Sequence, residues 1–266
     1  MPKTEMVTLP STQTEVYSAG EGPTLLLIQG AGAAKEAWMP IIQRISDRVS
    51  CVTFDNRGVG KAPDAPTNLT IEDLARDAAD LIEHIGGPVH VAGVSLGGMT
   101  AMRLAQMRPD LVTSLTLHST TAKRHGRGED ASAFRLRLLE LDLPVDVLRR
   151  FVFLFAEGQS GLTWDIPAEV VNSEKFVKDN FIAHMHAASK HHMTVEDLQG
   201  ITAPTLITVG SDDISTTPDN AKHLWRNIPN ARLVTIEGGG HGMYISEPDL
   251  VATLTEGWVR RHREAS

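Results

Sequence analysis

Short apolar runs recur along this chain and alternate with longer stretches in which apolar residues return every three or four positions. Leu25-Leu26-Leu27-Ile28, Val49-Ser50-Cys51-Val52-Thr53-Phe54 and Val89-His90-Val91-Ala92-Gly93-Val94 are too short for helices, and their nearly continuous apolar character predicts strands buried on both faces. Between them, Ala37 to Asp47 and Ile71 to Ile85 carry helical periodicity, the second with Leu74, Ala78, Leu81 and Ile85 on one face. Two short strands precede this pattern, around Val7-Leu9 and Glu15-Tyr17, with Pro10-Ser11-Thr12 turning between them. Thr113 to His118 supplies a further strand, and there the alternation stops. From about Thr121 to Gly200 the pattern is helical only, over Ser132 to Leu141, Val145 to Phe155 and Ser173 to Lys190. It resumes with a strand at Pro204 to Val209, a helix near Asp219 to Trp225, a strand at Ala231 to Ile236 and a terminal helix from Glu247 to about Arg261.

Strands alternating with helices predict an α/β fold: a mostly parallel sheet with helices on both faces and functional groups gathered at the carboxyl ends of the strands. The pattern divides the chain into an expected core, 1–120 and 201–266, and an expected inserted helical cap, 121–200. A length of 266 residues suits one large α/β domain carrying such an insertion. The net charge of −8 argues against a nucleic-acid partner, whose phosphates that field repels. Arg260, Arg261, His262 and Arg263 form a short basic run suited to the end of a helix, where cations complement the dipole. No apolar run approaches the roughly 20 residues of a membrane helix, so no membrane partner is expected. The start of the chain lacks the apolar segment of a secretory signal, and the single Cys51 cannot form an internal disulfide, so a cytoplasmic location is expected. Oligomeric state is not indicated.

The densest chemical signal is Gly93-Val94-Ser95-Leu96-Gly97-Gly98, placed where a strand hands over to the helix Met99 to Met107. A serine on so sharp a turn needs small neighbours at both flanking positions, here Gly93 and Gly97, because the turn is strained and the side chain must stand clear of the sheet. The helix start behind it offers free amides, and that of Leu96 can donate to a developing oxyanion. With these residues in this order the chain resembles the α/β-hydrolase superfamily, in particular its esterase and lactonase-like branch, over nearly its whole length.

That resemblance implies a triad in the order nucleophile, acid, histidine. Ser95 is then the nucleophile. Gly210-Ser211-Asp212-Asp213 resembles the family's Gly-x-x-Asp turn, which assigns the acid to Asp213 with Asp212 as its rival, and Gly238-Gly239-Gly240-His241-Gly242 resembles the Gly-His loop, which assigns the base to His241. The second oxyanion donor falls to the Ala31 amide in Gln29-Gly30-Ala31-Gly32-Ala33; Gln29 stands where many similar hydrolases have histidine, which leaves open how this loop is braced. Asp55-Asn56-Arg57-Gly58-Val59-Gly60 resembles a structural turn of the family. The expected activity is cleavage of a small-to-medium ester, lactone or thioester through an acyl-enzyme, with a small-molecule acyl substrate and neither cofactor nor metal. Carbon-carbon cleavage of a diketone is a variant.

Other classes use the same residues differently. Gly30-x-Gly32 after a strand, with Asp55 some 25 residues on, imitates a dinucleotide-binding fingerprint, but Lys35 holds its third glycine position. A cyclase, a lyase or a small-molecule binding protein could also keep this fold. Dehalogenase and epoxide hydrolase chemistry need a carboxylate where Ser95 stands. His184, His186, His191 and His192 form a dense group without zinc-type spacing, read as pocket-lining or solvent-facing. Phe134, Phe151, Phe153, Phe155, Trp164 and Phe181 could line an apolar pocket or pack the cap.

Overall fold

The computed structural model describes residues 2–123, 127–141, 143–144 and 177–263. Over these the apolar runs form β1 (Lys3–Thr8), β2 (Gln13–Ala19), β3 (Thr24–Ile28), β4 (Ser50–Phe54), β5 (Val89–Val94), β6 (Val112–His118), β7 (Thr205–Gly210) and β8 (Ala231–Ile236). The described strands make one sheet in the order β1-β2-β4-β3-β5-β6-β7-β8. β1 and β2 are an antiparallel hairpin, β2 joins β4 antiparallel, and the pairings from β4 to β8 are parallel. The first two strands are longer than their apolar residues suggest because ladder bonds carry the pairing through the exposed positions of β1.

The apolar runs are continuous because alternate side chains enter two different cores. Leu25 and Leu27 pack with α1 (Met39–Ile45) and α9 (Pro248–Arg261), whereas Leu26 and Ile28 pack with α2 (Ile71–Ile85) and α3 (Leu96–Met107). All four are fully buried, each contributing about 1.5–3 kcal/mol of transfer free energy. α2 begins at a capping box between Thr70 and Asp73 and ends at Gly86, whose φ of 85° closes the last turn. The stretch read as one helix from Ala37 divides into a 3-10 turn, Lys35–Trp38, and α1, because Pro40 has no amide to donate and fits only the first turn.

β6 and β7 are neighbours in the sheet although residues 119–204 separate them. The described part of that segment forms α4 (Arg127–Glu140), α5 (Lys178–Lys190) and α6 (Val195–Gln199). α4 packs on α5 through Leu139, Phe181 and Met185, while α5 and α6 lie against α3. The Met193 amide donates to the Ala122 carbonyl at 3.0 Å, and Arg103 of α3 donates to the His192 carbonyl at 3.0 Å, so the excursion returns to its own point of departure. The helix expected at Val145 to Phe155, and the first residues of that expected from Ser173, lie outside the described residues. α7 (Pro218–Asn227) and α8 (Met243–Ser246) complete the described helices. None of them is long and apolar enough to cross a membrane.

Candidate active site

β5 gives way to α3 at Ser95, whose φ of 54° lies in the left-handed region, a strain of about 1–3 kcal/mol for a residue other than glycine. The turn is tight enough that a Cβ on Gly93 would collide with the Gly97 carbonyl, and one on Gly97 with the Ile28 carbonyl. The strain is held by three bonds. The Ser95 amide donates to His118 O at 3.0 Å, and Ser95 O accepts from Thr120 Oγ1 at 2.8 Å and from the Met99 amide at 3.1 Å.

His241, on the loop after β8, brings Nε2 to 3.0 Å from Ser95 Oγ and Nδ1 to 2.9 Å from Asp213 Oδ2. Asp213, on the loop after β7, also accepts from the amides of Ser215 at 2.8 Å and Thr216 at 2.9 Å, and from the Thr216 hydroxyl at 2.7 Å. That hydroxyl has spent its one proton on Asp213, so toward His241 Nδ1, 3.2 Å away, it can only accept. The proton of the ring therefore sits on Nδ1, and Nε2 faces Ser95 as an acceptor. Burial pushes the Asp213 carboxyl upward, but the charge and hydrogen bond of His241 and the donors of Thr216 outweigh it and hold the group below the usual carboxylate range. The neighbouring Asp212 instead accepts from Ser211 Oγ at 3.0 Å.

The loop after β3 lies beside the serine: a Cβ on Gly30 would stand 3.5 Å from Ser95 Cβ. Ala31 follows in that loop, and Leu96 opens α3, where the first amides have no intrahelical acceptor. Gln29 is fully buried and its Nε2 donates to the Phe54 carbonyl at the end of β4. This residue thus ties the start of the loop to the neighbouring strand. Above it, a Cβ on Gly32 would press into the Phe181 ring of α5, and the Gly32 amide donates to His184 Nδ1 at 3.1 Å.

His184 is therefore neither pocket-lining nor solvent-facing. It is fully buried, and its Nε2 lies 2.6 Å from the Arg57 carbonyl. His191 is also buried, while His186 and His192 are exposed. Among the described residues no three or more His, Cys, Asp or Glu side chains are grouped as a metal would require. Asp55, the residue a bound ribose would need, is fully buried and engaged by the Lys35 amide and Nζ, both at 3.0 Å. Arg57 pairs with Asp77 at 2.6 and 2.7 Å, so this turn is held by ions on both sides. Phe181 is buried with Leu139 and Met185 over Ala31, and Phe134 is half exposed. Phe151, Phe153, Phe155 and Trp164 lie outside the described residues.

Ser215, Thr216 and Arg135 are not among the residues the sequence motifs single out. Arg135 of α4 is buried and donates to Ser215 Oγ, joining the segment between β6 and β7 to the loop that holds Asp213. The hydroxyl residues Ser215 and Thr216, two and three positions after Asp213, were the available signal.

Residues 25–254 match the family model described as the alpha/beta hydrolase family. The chain is 26% identical over 242 residues to a putative carbamate hydrolase RutD of Stutzerimonas stutzeri, covering 86% of this chain and 88% of that protein. It is 25% identical over 250 residues to the (E)-2-((N-methylformamido)methylene)succinate hydrolase of Acinetobacter baylyi, covering 91% and 92%. The crystal structure of the enol-lactonase of Burkholderia xenovorans LB400 superposes with a TM-score of 0.83 at 21% identity, covering 96% of this chain and all of the other. A family match over more than four-fifths of the length, on a sheet of this strand order with a serine at the β5–α3 turn, makes the chain a member of the alpha/beta hydrolase family.

Proposed function

We propose that the protein hydrolyses a small-to-medium ester, lactone or thioester through an acyl-enzyme on Ser95. The observation that carries this reading is the continuous chain of hydrogen bonds from Ser95 Oγ through His241 to Asp213. As Ser95 Oγ attacks the carbonyl carbon, its proton passes to His241 Nε2, and ionised Asp213 stabilises the imidazolium that results. The amides of Leu96 and Ala31 take up the charge on the carbonyl oxygen. Collapse expels the leaving group, which receives the proton from Nε2. Water, deprotonated by the same nitrogen, then attacks the acyl carbon and restores Ser95. None of these steps calls on a metal or cofactor.

The hydrolase names of the two relatives support attack by an oxygen nucleophile at a carbonyl. The apolar roof of Leu139, Phe181 and Met185 over Ala31 supports an acyl group of modest size. A fluorophosphonate probe, which reacts at a useful rate only with a base-activated serine, is expected to label Ser95 alone. A panel of esters and lactones of graded chain length should be turned over by the parent and not by Ser95→Ala. An adduct mapped elsewhere, or none on folded protein, overturns the assignment and favours a binding protein or a non-hydrolytic enzyme.

A further inference from the structure

We propose that His184 of α5 is a positioning residue for the oxyanion hole, holding the Gln29–Ala33 loop from above as Gln29 does from below; this rests on the acyl-enzyme reading. The loop needs such a support. It carries the Ala31 amide between two glycines, one of which, Gly32, has a φ of 68°, and its own internal backbone bond is a 3.3 Å contact from the Ala33 amide to Gly30 O. A mobile amide at Ala31 would have to be ordered in each transition state, and preorganised donors are what make such a hole effective. His184 supplies the order through two bonds that fix its tautomer. Because Nδ1 accepts from the Gly32 amide, the proton must be on Nε2, which donates to Arg57 O at 2.6 Å. The Arg57 turn is itself anchored by Asp77, so the ring is clamped between a rigid turn and the loop.

The rest of α5 is built for the same purpose. Asn180, one helical turn before His184, donates to Asp64 Oδ1 at 2.9 Å and accepts from the Ala65 amide at 3.0 Å. Phe181 meets Gly32 directly, and Ala183, Ala187 and Ala188 pack with Leu96 and Met99 of α3. Through these contacts α5 belongs to the framework of the site, although it lies within the inserted segment. Full burial pushes His184 down to about 4, so at neutral pH the ring keeps the neutral form this arrangement requires.

The test separates the two bonds. In His184→Asn the side-chain oxygen can occupy the Nδ1 position and still accept from Gly32; in His184→Gln the amide nitrogen can occupy the Nε2 position and keep only the bond to Arg57. With p-nitrophenyl acetate, and kcat expressed per site titrated by fluorophosphonate, His184→Gln is expected to lose about 10- to 100-fold in kcat with KM little changed, less than outright removal of an oxyanion donor. His184→Asn should recover most of that loss while losing comparable thermal stability. Wild-type kcat per site in His184→Gln, or equal losses in both variants, overturns the proposal. Should neither variant fold, 15N NMR of histidine-labelled wild type decides: Nδ1 unprotonated, with coupling to the Gly32 amide proton, is expected, and an Nδ1-protonated ring overturns it. If wild-type Ser95 takes no probe, the acyl-enzyme reading fails; if it does and His184→Gln behaves as wild type, only the role of His184 fails.

Discussion

Asp213 collects donors from Ser215, Thr216 and His241 on one buried carboxylate. Replacing it by Asn offers an amide where the ring proton must be accepted, so His241 turns to the wrong tautomer; Asp213→Asn is expected to lower kcat by about four orders of magnitude. Asp212→Asn, measured beside it, should stay within a few-fold of the parent, since Asp212 bonds to Ser211. Thr216→Val keeps the shape and removes one hydroxyl donor. A lost hydrogen bond to a charged group, worth about 1.5–3 kcal/mol, predicts a fall in kcat of roughly tenfold or more at unchanged KM. Ser95, Asp213 and His241 could be read from the sequence because each sits in a glycine-bearing turn with its own local pattern. Thr216 could not, since its hydroxyl acquires meaning only once the turn after β7 closes. The partners of His184 lie 152 and 127 residues away, and no local pattern records such distances.

Among the elements, α2 was legible to the residue because its capping box, apolar stripe and terminal glycine all agree. α6 was not, although Thr194 and Asp197 form the same kind of box, because only Leu198 of its five residues is buried and no periodicity develops. The β5–α3 turn shows where an element depends on a missing side chain. Gly97→Ala drives a Cβ into the Ile28 backbone, which no rotamer change can relieve. A loss of at least about 2 kcal/mol is expected, read as a lower urea midpoint, together with loss of Ser95 labelling. Thr70→Ala makes the contrasting case: loss of the N-cap of α2 should cost about 1 kcal/mol and leave kcat per titrated site unchanged.

For the whole molecule, three of the buried histidines couple stability to pH. Burial pushes His90, His118 and His184 from an ordinary 6.5 down to about 4. Each is neutral in the folded state, while the unfolded chain takes up its proton below about 6.5. The unfolded state thus binds more protons between pH 6.5 and 4, and stability falls as pH falls through that window. The three losses act in the same direction and over the same window. Urea midpoints taken from pH 7.5 to 4.5 should decline steadily below about 6.5; a flat profile would show that these rings titrate normally. The strand and helix alternation made the sheet legible in advance, but nothing in it announced that the inserted segment returns to its origin at Ala122 and Met193. That bond brings the two ends of the insertion side by side. Changing the length of chain beyond the junction costs the core little, because loop closure grows by only about 0.6 kcal/mol for each doubling of length. A chimera that takes foreign sequence between 144 and 177 should therefore fold on the same sheet and keep Ser95 open to a fluorophosphonate, whereas one that also replaces α4 would lose Arg135 and with it the bond to Ser215 beside Asp213.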